Sequence, residues 1–313
     1  MSKENIKNFL KENKDLIEVT DQEISKLKDE GYVLLKRDSN FWNRNNVDIA
    51  DIRKKCDHLI SEEKDSAGFE GKIQSKNEKA EEGAHRLTNL LGKDECFKNL
   101  ISIPDVIYSI NQILEKDFQL SSLDMREPLL NSGEQNLHLD WQQRKNIQST
   151  FFQCSAFILL DDVSEDNGPL RLIPKSHKDL VHIKSTSIEP DKRSAEDHKI
   201  ISEYDKKFSK KILGNAGDIV ILNISVFHGG TKNISGKRRR IIFANYRDSN
   251  LRTQIDHYKY IPKTKHDNFN NFQKSILSLY KKDLITNFRR WLWERRSWGV
   301  VKLIYKIGKK IRN

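Results

Sequence analysis

From about residue 118 onward the apolar residues fall into short runs, each closed by a turn residue. The runs read FQLSSLDM, NLHLDWQ, STFFQCSAFILL, LRLIP, KKILG, DIVILNIS and RRIIFANYR. The breaks between them include Asn167-Gly168-Pro169, Gly214, Gly217, Gly229-Gly230 and Gly236. Runs of this length suit strands better than helices. Many short strands at such spacing specify a sandwich or a barrel-like jelly roll. The polar stretch 178–210 interrupts the strands, as an insertion over the mouth of a barrel would.

The flanks read differently. Thr20 with Glu23 forms a capping-box pattern, so a short helix is expected to end at Gly31, followed by a strand at "YVLLK". A helix is expected around Asp48–Glu62, then a polar surface loop up to residue 85. Val106, Ile107, Ile110 and Leu114 recur at helical spacing after Pro104, which predicts another helix to about Glu115. Beyond 251 the chain turns polar and then helical. Three segments follow: helical and strand elements over 1–117, a β core over 118–250, and a helical extension over 251–313.

Composition narrows the function classes. A hydrophobic fraction of 36% against a charged fraction of 32% demands a very polar surface. Cys56, Cys96 and Cys154 are scattered without a C-x-x-C pair, which argues against a disulfide framework or a thiolate zinc site and suits a cytoplasmic setting. The N-terminus lacks the apolar stretch of a signal peptide, and no run of apolar residues is long enough to span a membrane. Of the net charge of +11, residues 289–313 carry +8 and the rest only +3. The body is therefore close to neutral, and no nucleic-acid partner is expected, since phosphate tracking needs positive charge around the working groove.

Chemistry is concentrated in "LHLDW" and "SVFHGG". His138 and Asp140 stand two apart, so on a strand they project to one face. His228 follows the apolar run "DIVILNIS" and can approach from a neighbouring strand. Two imidazoles and a carboxylate are a facial ligand set that leaves positions open on a divalent metal, the pattern of non-haem Fe(II) oxygenases. An isolated His-x-Asp pair is ordinarily a hydrogen-bonded strand histidine beside a surface acid; a distal histidine at the end of an apolar strand, with Gly229-Gly230 after it, changes that balance. Arg239 sits in a triple-arginine run. Alternation places it with Ile241 and Phe243 on one face, opposite Arg238 and Arg240, which are expected at a solvated strand end. A guanidinium inside an apolar barrel must be paired, and a carboxylate co-substrate pairs it well.

With these pieces together, the stretch from Asp124 to Arg247 resembles the phytanoyl-CoA dioxygenase family of Fe(II)/2-oxoglutarate oxygenases. "LHLDW" is similar to its His-x-Asp segment, "FILLDDVSEDNGPLRLIPKSHK" to its strand–turn–strand segment, and "GNAGDIVILNISVFHGGTKNISGKRRRIIFANYR" to its distal-His and arginine segment. "VTDQEISKLKDEGYVLLK" is similar to its N-terminal helix and strand. The resemblance implies a mainly β fold with flanking helices around a double-stranded β-helix core. It implies Fe(II) on His138, Asp140 and His228, with Arg239 on the far carboxylate of 2-oxoglutarate, O2 as oxidant and ascorbate as an accessory reductant. Relatives that halogenate lack the carboxylate, so Asp140 argues for hydroxylation. Lys175 stands where the family often has glycine, and Leu139 where glutamine is frequent.

Gln153 and Ser225, on strands near the ligands, are candidates to face the co-substrate, against an ordinary role as hydrogen-bonded strand polars. Trp141 is a candidate for the substrate mouth, against simple packing. His177 is expected in a turn role, since the ligand set is complete without it. The expected activity is hydroxylation of an unactivated C–H in a small-molecule or lipid- or glycan-linked substrate, with release of succinate and CO2. In residues 289–313 an apolar face (Val300, Leu303, Ile304, Ile307, Ile311) opposes lysines, with Trp291, Trp293 and Trp298 upstream. Such a helix suits peripheral contact with an anionic membrane, or packing on protein. The alternative function is an inactive cupin-like protein docked to membranes by this tail. A nucleic-acid demethylase is disfavoured, because it calls for a second arginine in an Arg-x-Asn-type strand signature and a basic groove, which "RRRIIFANYRD" fits poorly. No feature specifies an oligomeric state.

Overall fold

The computed structural model describes residues 3–63, 83–140, 152–178, 193–251 and 253–280. In chain order the elements are α1 (Lys3–Glu12), α2 (Asp21–Glu30), β1 (Tyr32–Leu35), α3 (Ser39–Arg44), α4 (Ile49–Glu63), β2 (Ala84–Leu87), α5 (Leu90–Lys93) and α6 (Pro104–Leu114). The core follows as β3 (Phe118–Pro128), β4 (Gln153–Leu159), β5 (Leu170–Leu172), α7 (Ala195–Phe208), β6 (Lys210–Ile212), β7 (Ile219–Asn223), β8 (His228–Gly230) and β9 (Ile241–Asp248). Two short helices, α8 (His257–Tyr260) and α9 (Asn271–Ile276), come after it. The described residues from 3 to 278 form one compact unit.

Two antiparallel sheets make the core, ordered β1-β7-β4-β9-β3-β2 and β6-β5-β8. His138 extends the small sheet by a bridge to His228. This is the double-stranded β-helix, with β1 and β2 added at the two edges of the large sheet. The large sheet is covered on its outer side by α6, which packs against β4, β7 and β9. Strands covered on both sides must be apolar at successive positions. That explains the unbroken run in β7, where every residue is buried.

Between the sheets, Leu170, Leu172 and Ile212 of the small sheet pack with Phe157, Val220 and Leu222 of the large one. This cluster fills the interior beside β7. The interior beside β9 and β3 is left open, and the candidate site occupies it.

A β-bulge sets which residues of β3 face that space. Leu120 pairs with Tyr246, but the register shifts so that Ser122 pairs with Asn245. Phe118 and Leu120 are therefore turned with Tyr246 toward the outer layer, where the Phe118 and Tyr246 rings meet edge to face at 5.9 Å. Ser122, Asp124 and Arg126 then face inward. Re-aiming side chains next to a site is a common use of a bulge.

The N-terminal readings match the structure in detail. The Thr20 side chain accepts from the Glu23 amide while the Glu23 carboxylate accepts from the Thr20 amide. Gly31, at φ 83°, ends α2 in the left-handed region. The helix expected over Asp48–Glu62 spans Ile49–Glu63. Two things differ. The polar insertion contains α7, whose Ser194–Asp197 capping box starts it, and the described part of "NLHLDWQ", residues 136–140, holds only the His138 bridge and no continuous strand. The loop expected before residue 85, Trp141 and the basic tail 289–313 lie largely or wholly outside the described residues. Among the described residues no helix is long and apolar enough to cross a membrane.

Candidate metal centre

The two histidines are joined by their backbones. The His138 amide donates to the His228 carbonyl at 2.9 Å, and the His228 amide donates to the His138 carbonyl at 3.2 Å. A mutually bonded antiparallel pair puts both side chains on one face, and the two rings lie 4.7 Å apart. Asp140 reaches the same face from two residues on. Its Oδ1 lies 3.4 Å from His138 Nε2 and its Oδ2 3.5 Å from His228 Nε2. The three donor atoms all fall within 4.8 Å of one another, which suits a single ion.

Each imidazole is oriented by the carbonyl two residues before it. His138 Nδ1 lies 2.7 Å from the Asn136 oxygen and His228 Nδ1 lies 2.9 Å from the Val226 oxygen. Donation through Nδ1–H fixes the tautomer and aims the Nε2 lone pair at the ion site, the usual arrangement for ligating histidines.

The electrostatics of the triad are those of an ion pair. Burial on its own raises the Asp140 carboxyl and lowers the His228 imidazolium. Their mutual attraction, with hydrogen bonds from both histidines to the carboxylate, outweighs it, so Asp140 is held low and His228 is raised. His228 is buried, whereas the Asp140 side chain keeps 35% exposure, on the open side of the site.

A cavity of about 390 Å³ adjoins the triad, and Arg239 lines it. Arg239 is only 2% exposed, and its Nε has no hydrogen-bond partner among the described residues. Burial, and then Arg126 nearby, push it down to about 9. Its neighbours in the run are turned the other way. Arg238 donates to Glu127 at 2.5 and 2.8 Å, and Arg240 donates to Asp161 at 2.8 and 2.7 Å. Both also reach Asp57 of α4. Arg240 is thus buried in ion pairs, not at the solvated strand end expected for it; the carboxylates of α4 and of the turn after β4 supply the compensation that burial requires. These outward anchors hold Arg239 facing in.

Gln153 lines the cavity, but its Oε1 accepts from Arg247 Nη2 at 2.6 Å. Ser225 is not among the residues lining the cavity. It lies in the turn between β7 and β8, where its amide donates to Asn223 Oδ1 at 3.0 Å. His177 is apart from the triad, with its Nε2 near the Lys28 carbonyl at 3.4 Å. Burial lowers its pKa, and it packs where α2 ends.

The sequence reading missed several cavity residues: Arg86, Asp124, Arg126, Asn245, Arg247 and Gln254. Extending the alternation from Arg239 through β9 reaches Asn245 and Arg247, so that signal was present. Nothing comparable pointed to Asp124 and Arg126, because the bulge in β3 breaks the parity.

Solved structures share this architecture. The non-heme alpha ketoglutarate-dependent carbocyclase SnoK from nogalamycin biosynthesis aligns at TM-score 0.53 and 16% identity, covering 74% of this chain and 85% of its own. HygX from Streptomyces hygroscopicus, with nickel and 2-oxoglutarate bound, aligns at 0.55 and 14%, covering 75% and 89%. EctD from S. alaskensis, with bound Fe, aligns at 0.56 and 14%, covering 76% and 79%. At these identities the likeness is one of fold. No curated protein matches the chain in sequence. The model of the phytanoyl-CoA dioxygenase (PhyH) family matches residues 19–241, most of the chain and every residue of the triad and its arginine, and the chain belongs to that family.

Proposed function

We propose that His138, Asp140 and His228 hold Fe(II), that Arg239 receives the far carboxylate of 2-oxoglutarate, and that the chain hydroxylates an unactivated C–H of a small molecule. The general class, an Fe(II)/2-oxoglutarate-dependent dioxygenase, is that of its family. The observation that carries the residue assignment is one juxtaposition. Three donor atoms within 4.8 Å of one another open onto the same cavity as a buried arginine with an unsatisfied Nε.

The donor set fits a divalent iron: neutral imidazole nitrogens and a carboxylate oxygen, with nothing softer. Iron, when bound, supplies the O2 chemistry that couples loss of CO2 from 2-oxoglutarate to oxidation of the substrate. The protein's own residues do the rest. The carbonyls of Asn136 and Val226 keep the Nε2 atoms aimed. Arg239 orients the co-substrate and gains the anion that its burial requires. Phe157 and Phe243, whose rings meet at 4.8 Å, keep the adjoining wall apolar. A relative, HygX, has been solved with hygromycin B bound, which is in keeping with a small-molecule substrate.

The test is incubation of the purified protein with Fe(II), ascorbate and 2-oxoglutarate. Slow uncoupled succinate formation and saturable 2-oxoglutarate binding are expected. Absence of both would refute the reading. No observation among the described residues favours an inactive, membrane-docked binding protein.

A further inference from the structure

One wall of the cavity is a grid laid down by strand register. Phe157 of β4, Phe243 of β9 and Asp124 of β3 stand opposite one another in a single cross-strand row. Ser155, Asn245 and Ser122 form the next row. Residues directly opposite on neighbouring strands share a face, and Phe157, Phe243, Asp124 and Asn245 all line the cavity that adjoins the triad. Two aromatic rings, a carboxylate and an amide therefore meet the same space.

The carboxylate is short of donors. Asp124 is only 6% exposed, and a carboxylate offers about four acceptor positions. Among the described residues it takes the Asn89 amide at 3.2 Å and the Ser122 hydroxyl. That hydroxyl has one proton, for which Gln254 Oε1 at 3.3 Å competes, and it accepts from Asn245 Nδ2 at 2.9 Å. Asn245 Oδ1 accepts from Ser155 Oγ at 2.6 Å, and its second amide proton has no partner among the described residues. The wall thus offers acceptor capacity on Asp124 and a donor on Asn245.

A hydroxyl answers both, since it donates and accepts; an ammonium only donates and a carboxylate only accepts. A molecule that joins hydroxyls to an apolar carbon face also suits the Phe243 ring in the same row. We infer that the primary substrate is a polyhydroxylated, sugar-like molecule, whose hydroxyls donate to Asp124 and accept from Asn245 while its carbon face lies on Phe243. This rests on the dioxygenase reading and names the substrate class within it. An analogue lacking the hydroxyl leaves a buried acceptor unfilled and is rejected for that reason, which makes Asp124 a determinant of specificity.

The test uses full-length, Fe(II)-loaded protein and a small-metabolite extract treated with periodate, which cleaves the C–C bond between adjacent hydroxyl-bearing carbons. The control extract receives the same periodate already spent on glycerol. Succinate release above the uncoupled rate with the control, lost after treatment, supports the inference. Equal stimulation by both overturns it. If neither stimulates, saturation-transfer NMR of methyl pyranosides on protein loaded with Zn(II) and 2-oxoglutarate decides. Ring-proton contacts that weaken in Asp124→Asn support the inference; absence of contacts, or contacts unchanged in that variant, overturns it. With the control extract, Asp124→Asn is expected to raise the half-saturating amount about tenfold, the worth of a hydrogen bond to a charged group, and Asn245→Ser, the milder change, about threefold. A fall in maximal rate with half-saturation unmoved in both variants would make these residues structural and overturn the assignment. Absence of uncoupled turnover in the unmodified protein instead sinks the dioxygenase reading and this inference with it.

Discussion

His138 and His228 exchange both of their backbone hydrogen bonds, amide to carbonyl in each direction. This one pair fixes the geometry of the proposed metal site, because residues paired in this way share a face and a shift of one residue turns a side chain to the other. The proposed ligand set is thus a property of register before it is a property of side chains. Truncating one imidazole of the pair leaves the backbone bonds in place. His228→Ala is expected to keep the fold and to weaken Co(II) binding by more than roughly a hundredfold, read anaerobically by calorimetry. Unchanged Co(II) affinity would remove His228 from the site.

Arg239 is expected to show opposite effects on binding and on stability. Among the described residues no carboxylate pairs with Arg239, and a buried cation without a counter-ion destabilises the fold until an anion arrives. Arg239→Met removes that burden and fills the space with an apolar chain. The ligand-free variant is expected to unfold at the same temperature as the parent or higher. Its 2-oxoglutarate affinity should fall by at least about tenfold, the worth of one charge-assisted hydrogen bond. Thermal unfolding with and without 2-oxoglutarate reads both. A variant that unfolds earlier yet binds 2-oxoglutarate normally would place the guanidinium in a structural role.

How much of this was legible in the sequence varied with the range of the interaction. That His138, Asp140 and His228 cluster and that Arg239 faces inward was readable, because strand alternation and residue spacing are local. Arg240 was misjudged because its partners, Asp161 and Asp57, are distant in sequence and invisible to periodicity. Ser225 looked like a strand residue because Ile224 and Val226 flank it, yet the chain turns there so that β8 can cross to the small sheet. Asp124 and Arg126 were hidden by the bulge, whose shift depends on pairing with β9. What depends on partner choice between distant strands did not show in one-dimensional pattern.

The triad also predicts how stability responds to pH with and without metal. In the metal-free protein His228 is raised above its ordinary value and Asp140 is lowered. A raised histidine contributes stability that is complete below its unfolded value of about 6.5 and is lost as pH climbs through its folded value. The lowered aspartate contributes stability above its unfolded value of about 3.9, lost only as pH falls toward its folded one. The triad's contribution in chelator-treated protein is therefore expected to decline as pH rises above about 6.5. A divalent ion requires neutral imidazoles, so the stabilisation that Co(II) gives should instead grow over the same interval. Melting curves across that pH range, with chelator or with Co(II), test the pair of opposite slopes. Parallel slopes would show that proton and metal do not compete for the site.

Lys175 gives a prediction remote from the chemistry. It adopts φ 65°, the left-handed region that disfavours any residue with a Cβ. It is held there because its amide donates to the Glu30 carbonyl at 2.9 Å and its own carbonyl accepts from Lys178. Together these fasten the turn after β5 to the end of α2. Its ammonium pairs with Asp29 at 2.8 Å, but both groups are exposed and Lys178 holds the same carboxylate at 2.7 Å. Such a surface pair contributes little. Relief of the backbone therefore outweighs loss of the ion pair, even after the extra freedom that glycine gives the unfolded chain. Lys175→Gly is expected to stabilise the protein by about 0.5–1 kcal/mol, seen as a rise of about 2 °C in melting temperature, with uncoupled succinate formation unaltered. A fall in melting temperature would mean that the lysine side chain, not the backbone, governs this turn.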